Sequence, residues 1–582
     1  MIKISETPTK IILDGDLKVI KELQDRTKYR PNGYHMADTY QLYRKSGGQR
    51  GWDGYRRIID TKTRPFAARG HLGRVQDELA LMGVETNMTA VLRSPFEFIS
   101  IEDIPDDLLD VPLDENQWAL QKRCIHALLQ RSIGRVKVTV SGGKTALFCA
   151  IASYVKRSIP EARFLYLTPN ERLVTQVYAE SKKFLKGWDI GKFGGGGQNF
   201  AAEDMIVATA AILGRRHAKL TADKWYKSFH CLLVDEFQYA AGNTYQQVLY
   251  SCSALFRYGA SDTLKLDDPD KNNALQGLLG DVVEGVEFHE VQAFDRVATP
   301  TFYIVEEPAW KNIHSHLEHT VSPNSEAWFI ANGEWYKGMY LGPCWELNED
   351  GDPVKDRRGN PVQITGLHEI EVDGEKYHIE SQWCLLSRKY DVGVIRNKLR
   401  NNRIALWAKH FSDQGKQTLI VATRTLHVMV LQAALERAIG PDLVRVLYGT
   451  HNSKERDEAF EWFKATPGAV LISPLVKVGV SINEIRAMIV ADTVGDWEFA
   501  NQLVGRAIRR KNVGENTCEI VWFLDNTHPG WTKSTGHVIK QLSTIKGYIV
   551  RRGVNTPADI EKETMGEALG FLDLNPQPGD LS

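Results

Sequence analysis

The feature that most constrains the fold is a short apolar run that ends in two acids, Cys231-Leu232-Leu233-Val234-Asp235-Glu236. Four consecutive apolar residues are typical of a strand in the middle of a parallel sheet, which helices cover on both faces. Two carboxylates directly after such a strand are costly to bury unless a cation meets them. The plainer interpretation is a strand that runs into an acidic turn, so the rest of the chain must decide between the two.

A second segment, upstream of this strand, has the composition of a phosphate-binding loop: Ser141-Gly142-Gly143-Lys144-Thr145. It follows a predicted strand over Val136–Val140 and precedes a predicted helix over Ala146–Lys156. Glycine N–H groups can curl around a phosphate, and the lysine adds positive charge. The strict G-x-x-x-x-G-K-[ST] pattern fails because residue 138 is valine. The prediction of a phosphate-binding loop therefore rests on the position of this segment between a strand and a helix.

Together, the loop and the acidic strand predict a site for ATP and Mg²⁺. The hydroxyl of Thr145 and the carboxylate of Asp235 would hold the metal, and Lys144 would reach the β- and γ-phosphates. Glu236 would orient and polarise the attacking water. These residues are the predicted catalytic and metal-binding groups of the first half of the chain.

Strand–loop–helix patterns follow one another along two long stretches of the chain. In the first stretch, predicted strands end at Thr168-Pro169, at Thr209 and near Ser261, and in the second they end at Thr423 and Ser473. Such series form parallel sheets with helices on both faces, and ligands bind at the carboxyl ends of the strands. The predicted fold class is therefore α/β, with two tandem parallel-sheet domains.

The first hundred residues carry a local excess of positive charge. Between Arg26 and Arg74, twelve Lys and Arg stand against three Asp, a net charge of +9 in a chain whose total is −1. Interleaved aromatic residues are Tyr29, Tyr34, Tyr40, Tyr43, Trp52, Tyr55 and Phe66. Basic side chains neutralise phosphates and aromatic rings can stack, so nucleic acid is the predicted partner. The alternative is a solvated basic face over a small aromatic core.

Several protein classes do not fit the composition. Seven cysteines are scattered without a C-x-x-C pair, which argues against a zinc site and a disulfide framework and favours a reducing, cytoplasmic location. The N-terminus has no apolar core of signal-peptide length, and no run of 18 apolar residues predicts a membrane span.

In this order the segments resemble helicase superfamily 2, whose members carry two RecA-like motor domains. The matching segments are Ser141–Thr145 (motif I), Leu167-Thr168-Pro169 (Ia), Ala208-Thr209 (Ib), Asp235–Gln238 (II), Ser261-Asp262-Thr263 (III) and Gly479–Ile482 (V). The run from Gln502 to Arg509 matches Q-x-x-G-R-x-x-R, motif VI, without a departure. The departures elsewhere are Ser141 for Gly, Gln238 for His, Asp262 for Ala and Ser481 for Asp.

The resemblance implies roles for individual residues. Gln121, or Gln117 one turn earlier, would read the adenine, and Gly479 would lie beside the nucleotide. Gln502, Arg506 and Arg509 would share one helix face, with both guanidiniums binding the γ-phosphate across a cleft between the domains. Gln238, Ser261 and Thr263 would couple hydrolysis to movement. The nucleic-acid strand would be contacted mainly through phosphates at Thr168, Pro169, Thr209, Thr423 and Ser473.

The N-terminal segment resembles the small DNA-binding domain of UvsW-like phage helicases, which has a related element in XPB-type proteins. The similarity rests on Trp52-Asp53-Gly54-Tyr55-Arg56-Arg57, then Pro65-Phe66, then Gly70-His71-Leu72-Gly73-Arg74-Val75. It implies DNA contacts by Trp52, Arg56 and Arg57. The segment Leu275-Gln276-Gly277-Leu278-Leu279-Gly280 resembles the same branch.

These patterns predict the domain boundaries. We expect a basic N-terminal domain over 1–98, an acidic linker over 99–116 and a first RecA-like domain over 117–300. A β-rich insertion over 301–390, rich in tryptophan and with hairpin turns, precedes a second RecA-like domain over 391–530 and a tail over 531–582.

The predicted function is an ATP-dependent DNA helicase or translocase that acts on branched DNA, with 3′ to 5′ polarity. An RNA helicase is an alternative, because the motor motifs do not distinguish the sugar. An ATP-gated clamp without unwinding is another, motivated by Gln238 and Asp262. The oligomeric state is not fixed by the sequence.

Overall fold

In the computed structural model the chain divides into two units, Met1–Arg296 and Val297–Ser582. The structure describes residues 1–194, 196–198, 201–264, 266, 268–307, 325–331, 334–348, 351–356, 359–380, 390–395, 397–448, 451–474, 484–511, 514–526 and 529–560.

The first unit begins with a small α+β domain, as predicted. Its five strands are β1 (Ile2–Glu6), β2 (Lys10–Asp14), β3 (Ile59–Asp60), β4 (Phe66–Ala68) and β5 (Thr86–Ala90), in the sheet order β3-β4-β2-β1-β5. Its helices are α1 (Leu17–Arg26), α2 (Asp38–Lys45) and α3 (Leu72–Leu81). Alternate residues of β1 and β2 are buried, which gives the sheet one apolar face against α1 and α3.

The first RecA-like domain follows, with its sheet in the order β13-β6-β12-β11-β7-β10-β8-β9. The strands are β6 (Ile133–Val138), β7 (Phe164–Thr168), β8 (Ile190–Gly194), β9 (Gly197–Gln198), β10 (Met205–Thr209), β11 (Cys231–Asp235), β12 (Phe256–Ser261) and β13 (Val282–Val286). All pairs are parallel except β8 with β9. All five residues of β11 are buried, as its continuous apolar run predicts.

Eight helices belong to the described part of this domain. They are α4 (Glu115–Leu129), α5 (Lys144–Ser158), α6 (Glu171–Phe184), α7 (Ala210–Arg215), α8 (His217–Ala222), α9 (Asn243–Ser251), α10 (Pro269–Leu279) and α11 (Phe288–Ala293). Several begin at a side-chain cap: Asp114 accepts from the amide of Gln117, and Asn170 from that of Leu173.

The acidic segment before α4 lies on the surface of this domain. Asp106 pairs with Lys122 at 2.7 Å, and Asp107 pairs with Arg157 at 2.8 Å. The backbone of Asp110 donates to Phe184. The acids that predicted a linker therefore meet bases of the motor domain.

The second unit opens with β14 (Thr299–Glu306), and the β-rich insertion follows it. The insertion contains a four-stranded antiparallel sheet of β15 (Ser325–Ala331), β16 (Glu334–Trp345), β17 (Gln363–Val372) and β18 (Glu375–Glu380), in that order. Its β character is as predicted. The Nδ2 of Asn397, just after the insertion, donates to the carboxylate of Glu307, just before it, at 3.3 Å. Arg403 also pairs with Glu307, at 3.2 Å.

The second RecA-like sheet has the order β20-β21-β19-β22-β23-β14-β24, and all its pairs are parallel. The remaining strands are β19 (Thr418–Val421), β20 (Val444–Val446), β21 (Val470–Ser473), β22 (Ala487–Val490), β23 (Thr517–Leu524) and β24 (Ile549–Arg552). The helices are α12 (Lys398–Asp413), α13 (Thr425–Ile439), α14 (Ser453–Ala465), α15 (Trp497–Ala507) and α16 (Pro529–Thr544).

Two segments lie in a different domain from the one that the sequence boundaries gave them. Strand β14 spans the predicted boundary at 300 and pairs along its whole length with β23. Strand β24, in the predicted tail, pairs with the other edge of β14. Both belong to the second motor sheet, because parallel pairing joins strands that are far apart in sequence. Within the described residues, no helix combines the length and apolar character needed to cross a membrane.

Candidate functional site

The predicted phosphate loop lies between β6 and α5, as expected, but the strand ends earlier than predicted. β6 stops at Val138, and Thr139 turns the chain by accepting a 3.0 Å bond from the amide of Gly142. Ser141 and Gly143 have φ of +60° and +85°. Left-handed residues on both sides of a glycine form a concave row of amides that suits an anion.

Both glycines of the loop are required by their surroundings. A Cβ on Gly142 would lie 2.8 Å from Cγ1 of Val138, and one on Gly143 would lie 2.7 Å from Nε2 of Gln117 and 2.9 Å from Nε2 of Gln121. The loop then leads into α5, whose N-cap, Gly143, has no side chain that could cap its amides. These amides are available to a phosphate.

Both glutamines predicted to read the adenine lie against this loop. The Nε2 of Gln121 donates to the carbonyl of Gly142, while its Oε1 is buried and has no hydrogen-bond partner. Gln117 is partly buried one turn earlier, with its amide beside Gly143. An acceptor such as Gln121 Oε1 fits the amino group of an adenine.

Lys144 and the two acids after β11 meet at the carboxyl end of the sheet. Lys144 Nζ forms an ion pair with Oε1 of Glu236. Glu236 has φ +49°, a left-handed conformation, and its amide donates to Oδ1 of Asp235 at 3.0 Å. Thr145 is the next residue of α5 and is partly buried.

Burial and mutual charge shift the pKa values of this cluster. Burial raises the pKa of Asp235 to about 7, and Lys144 opposes the shift. Burial disfavours both members of the Lys144–Glu236 pair, but their attraction outweighs it, so the pKa of Lys144 is raised and that of Glu236 is lowered. The donor set of one hydroxyl and one carboxylate suits Mg²⁺, which takes its other ligands from phosphates and water. The site therefore fits a magnesium nucleoside triphosphate.

The three predicted coupling residues are connected to Glu236. Gln238 Nε2 donates to Glu236 Oε2 at 3.0 Å, and Ser261 Oγ donates to Gln238 Oε1 at 2.6 Å. The amide of Thr263 donates to Ser261 Oγ at 3.0 Å. Glutamine, with one donor and one acceptor group, thus links motif II to motif III in place of histidine.

The predicted nucleic-acid contacts of the first unit differ in exposure. Thr168 and Thr209 are neighbours on β7 and β10, but both side chains are buried. Thr168 Oγ1 donates to the carbonyl of Asn170, and Thr209 Oγ1 caps α7 at the amide of Ile212. A short hydroxyl next to the backbone bonds locally, so these two hydroxyls shape the loops. Pro169 lines an open pocket.

In the second unit, Thr423 is exposed after β19 and its amide donates to Oδ2 of Asp492 at 2.5 Å, whereas Ser473 is buried. Asp492 also accepts from the Tyr390 hydroxyl at 2.7 Å. Burial opposes the charge of Asp492, but hydrogen bonds from His427, Thr423 and Tyr390 outweigh it and lower its pKa. A fixed anion therefore holds the loop that begins at Thr423.

Motif VI is only partly helical. Gln502 and Arg506 lie on α15, which ends at Ala507, so the prediction that Arg509 shares the helix was wrong. Arg509 instead forms an antiparallel bridge with Val297, and the amide of Ala298 donates to Ile508 at 2.8 Å. The helix ends at a turn at Ile508, and Arg509 pairs instead with the chain before β14. Gly479 lies outside the described residues.

The aromatic and basic residues predicted to contact DNA in the N-terminal domain form pairs with each other. Trp52 Nε1 donates to Tyr55 at 2.7 Å, and the guanidinium of Arg56 lies 5.6 Å from the Trp52 ring. Arg57 donates to both carboxylate oxygens of Asp53, at 3.3 and 2.5 Å. Arg57 is thus largely neutralised within the domain, while the Arg56 side chain is 60% exposed.

The sequence did not reveal how closely this domain packs on α10 of the motor. A Cβ on Gly70 would lie 1.8 Å from the carbonyl oxygen of Gln276, and one on Gly277 would lie 2.8 Å from Cβ of Ala68. Arg69 is 2% exposed and donates to Leu255, Leu92 and Ser132. One of the twelve basic residues is therefore buried between the N-terminal and motor domains. A glycine in each of two distant motifs was the only sequence signal for this contact.

Comparison with known proteins places one helicase domain on each half of the motor. The family described as type III restriction enzyme, res subunit, matches residues 111–266, and the helicase conserved C-terminal domain matches residues 389–511. No curated protein sequence matches the chain.

Among solved structures, the chain is similar to UvsW of bacteriophage T4, at 15% identity over 95% of this chain and 99% of that one, with a TM-score of 0.41. It is similar to the DNA-bound type ISP restriction-modification enzyme LlaBIII, at 12% identity over 85% and 35%, with a TM-score of 0.49. A fragment of a type I restriction HsdR subunit from Vibrio vulnificus gives 14% identity over 87% and 88%, with a TM-score of 0.49.

The chain has two parallel-sheet domains, and in the first a lysine and two acids meet at the carboxyl end of the sheet. This arrangement defines an ATP-binding motor of the RecA-like class. The helicase domain matched on each half of the motor confirms the resemblance to helicase superfamily 2. The chain is an ATP-dependent nucleic-acid helicase or translocase.

Proposed function

We propose that the protein is an ATP-dependent DNA translocase that remodels branched DNA by unwinding, branch migration or fork regression, with 3′ to 5′ polarity. The observation that carries this proposal is the packing of the basic N-terminal domain on α10. Gly70 and Gly277, from the two segments that resemble the UvsW-like branch, lie in the same contact.

Polar contacts surround these glycines. The hydroxyl of Tyr29 donates to Asp270 at 2.5 Å, and Arg74 donates to Asn273 at 3.0 Å. α10 begins six residues after Thr263, so the basic domain is seated on the element that follows motif III. A basic domain fixed to one motor domain can hold one arm of a branched molecule while the motor acts on another.

The chemistry proposed for the site uses the described residues. The loop amides and Lys144 bind the phosphates, and Thr145 and Asp235 hold Mg²⁺, whose role is to offset the charge of the phosphates. Glu236 takes the proton of the attacking water. Arg506 and Arg509 are proposed to bind the γ-phosphate, with Gln502 beside them.

The hydrogen bonds of Gln238 favour a motor over an ATP-gated clamp. Because Gln238 joins Glu236 to Ser261, the departure from histidine keeps a continuous link from the hydrolytic acid to motif III. Of the seven cysteines, the six that the structure describes are free thiols, which supports the proposed cytoplasmic location.

The test is the ATPase rate against single-stranded DNA, duplex, fork, four-way junction and RNA, with Lys144→Ala as the control for a contaminating ATPase. Forked or four-way DNA should stimulate hydrolysis most, and the control should abolish the activity. Stimulation by RNA alone would establish the RNA helicase instead. No stimulation by any nucleic acid would leave the clamp.

A further inference from the structure

A buried hydroxyl without a partner lies in the middle of the first motor sheet. Tyr166 is the central residue of β7, a strand in which every residue is buried. Its side chain is 0% exposed, and its hydroxyl has no hydrogen-bond partner among the described residues. Buried polar groups in folded proteins are nearly always hydrogen-bonded, so this exception requires an explanation. None of the roles described above uses this tyrosine.

The pairing of β7 with β11 places Tyr166 beneath the predicted metal site. Tyr166 pairs with Leu233, two residues before Asp235, so the three side chains lie on one face of the sheet. Helix α5 covers this face, because the rings of Tyr166 and Phe148 meet edge-on with their centroids 5.3 Å apart. Phe148 lies one turn after Thr145. Tyr166 therefore packs under the helix face that carries Thr145.

The electrostatics of Tyr166 show the same neighbours. Burial raises its pKa well above the ordinary value, the charge of Asp235 adds to the shift, and the Thr145 side chain opposes it. The phenol therefore stays protonated at any working pH and offers one donor and one acceptor. Thr145 and Asp235 are the two residues proposed above to hold Mg²⁺.

A threonine hydroxyl that holds Mg²⁺ must be fixed in one orientation. One lone pair of its oxygen points at the metal, so its proton needs an acceptor on the side of the protein. In a helix the threonine side chain divides between two rotamers, and only one of them suits a given ligand. Groups that hydrogen-bond a metal ligand in this way typically change metal affinity by roughly 10- to 100-fold.

We propose that Tyr166 is a positioning residue for the metal site, whose phenol oxygen accepts a hydrogen bond from the Thr145 hydroxyl when that hydroxyl binds Mg²⁺. The inference deepens the proposed function and rests on it, because the role of Thr145 comes from the proposed chemistry. It explains why a buried hydroxyl lies without a partner on the face of the sheet below Thr145. The Tyr166 hydroxyl contributes to metal affinity and not to the stability of the fold.

The test titrates Mg²⁺ into the full chain together with a fluorescent, non-hydrolysable ATP analogue, whose binding is followed by anisotropy. Tyr166→Phe should raise the half-saturating Mg²⁺ concentration roughly ten-fold, because Thr145 loses its acceptor. At saturating Mg²⁺ the variant should bind the analogue within about two-fold of the parent, because enough metal offsets a weaker metal site.

Thr145→Val and the double variant show whether Tyr166 acts through Thr145. Thr145→Val removes the hydroxyl at nearly constant shape and should raise the Mg²⁺ requirement at least as much as Tyr166→Phe does. Adding Tyr166→Phe to Thr145→Val should change nothing further, because residues that act through one shared contact are not additive. Additive shifts would show that Tyr166 acts without Thr145 and would overturn the assignment.

Tyr258→Phe is the matched control. Tyr258 is also 0% exposed and pairs with Leu233 from the other side, on β12. Its hydroxyl donates to the carbonyl of Arg131 at 2.7 Å, before β6 begins and therefore at the opposite edge of the sheet from the phosphate loop. Tyr258→Phe should lower the melting temperature and leave the Mg²⁺ requirement unchanged. Tyr166→Phe should keep the melting temperature measured without nucleotide, because the hydroxyl it removes has no partner.

The outcomes separate this inference from the proposed function. If Thr145→Val raises the Mg²⁺ requirement and Tyr166→Phe does not, the positioning role is overturned and the metal site stands. If Tyr166→Phe lowers the melting temperature as much as Tyr258→Phe does, its hydroxyl is structural and the inference fails. A parent protein whose analogue binding does not depend on Mg²⁺ would overturn both the inference and the proposed roles of Thr145 and Asp235.

Discussion

The contacts of Glu236 fit its proposed role as the acceptor of a proton from the attacking water. Lys144 and Gln238 each bond one of its carboxylate oxygens, and Ser261 lies 3.3 Å from the second. Burial opposes the charge of Glu236, but Lys144 and these hydrogen bonds outweigh it and lower the pKa, so the carboxylate is charged at neutral pH. Its left-handed backbone aims the side chain back at the phosphate loop.

Glu236→Gln should therefore lower the ATPase kcat by at least about 100-fold, because an amide cannot take the proton from water. Binding of a fluorescent ATP analogue should be retained or tightened, since Lys144 loses its competing partner. Steady-state hydrolysis and analogue titration, run on the same preparation, separate the two effects. A variant that fails to bind the analogue would assign Glu236 to binding instead.

The residues of the predicted ATP site could be identified from the sequence where a single local motif indicates their role. Lys144, Asp235 and Glu236 follow from a loop and a strand that are local in sequence, and the structure brings them together. The burial of Thr168 and Thr209 was not predictable, because it depends on β7 and β10 pairing side by side. The position of Arg509 likewise depends on Val297, which is distant in sequence.

Among the elements, α10 and the N-terminal domain make the closest backbone contact described above. Gly70→Ala should lower the free energy of unfolding by about 3 kcal/mol or more, because its Cβ would overlap the carbonyl of Gln276, which no side-chain rotation can relieve. Gly73→Ala is the control: its Cβ would meet open space within α3, so it should stabilise by up to about 1 kcal/mol. Denaturant unfolding of both variants measures the difference. Equal stabilities would show that the domain does not pack as described.

The same contact should respond to acid through His71. This side chain is 4% exposed, and burial lowers its pKa to about 4 from an ordinary 6.5. Between those pH values the unfolded chain binds a proton that the native protein does not. The free energy of unfolding should therefore fall as the pH drops from 6.5 to 4, by at most roughly 3 kcal/mol, and the histidine should have no effect above pH 6.5.

His71→Gln carries no titrating group and serves as the control for the carboxylates that titrate in the same range. The parent should lose more stability than the variant between pH 6.5 and 4.5, measured by thermal unfolding in matched buffers. Parallel pH profiles would show that His71 is protonated in the native protein.

At the scale of the whole molecule, the strand order determines which fragments of the chain can fold by themselves. β14 lies between β23 and β24, so a fragment of residues 391–530, bounded as the sequence suggested, lacks two strands of its sheet. We expect residues 297–560 to unfold in one cooperative transition and residues 391–530 to remain unfolded, because β23 would expose an unpaired edge. Circular dichroism during heating distinguishes them. Cooperative unfolding of the shorter fragment would contradict the strand order.

The two-domain α/β architecture was predictable because each strand–loop–helix unit can be recognised from its own short segment of sequence. The membership of β14 was not, since a buried parallel strand has the same pattern whichever sheet it joins. Its partner, β23, lies more than 200 residues further along the chain. Local patterns thus identify strands, while only long-range pairing assigns them to a domain.

The 3.3 Å bond between Glu307 and Asn397 means that the insertion leaves and re-enters the second motor domain at one point. The sheet on either side of that point is complete without β15–β18. An ancestral motor could therefore have acquired this module, or exchanged it for another, without altering a single strand pairing. The same junction offers protein engineers a place to graft a reporter or a targeting domain onto the motor.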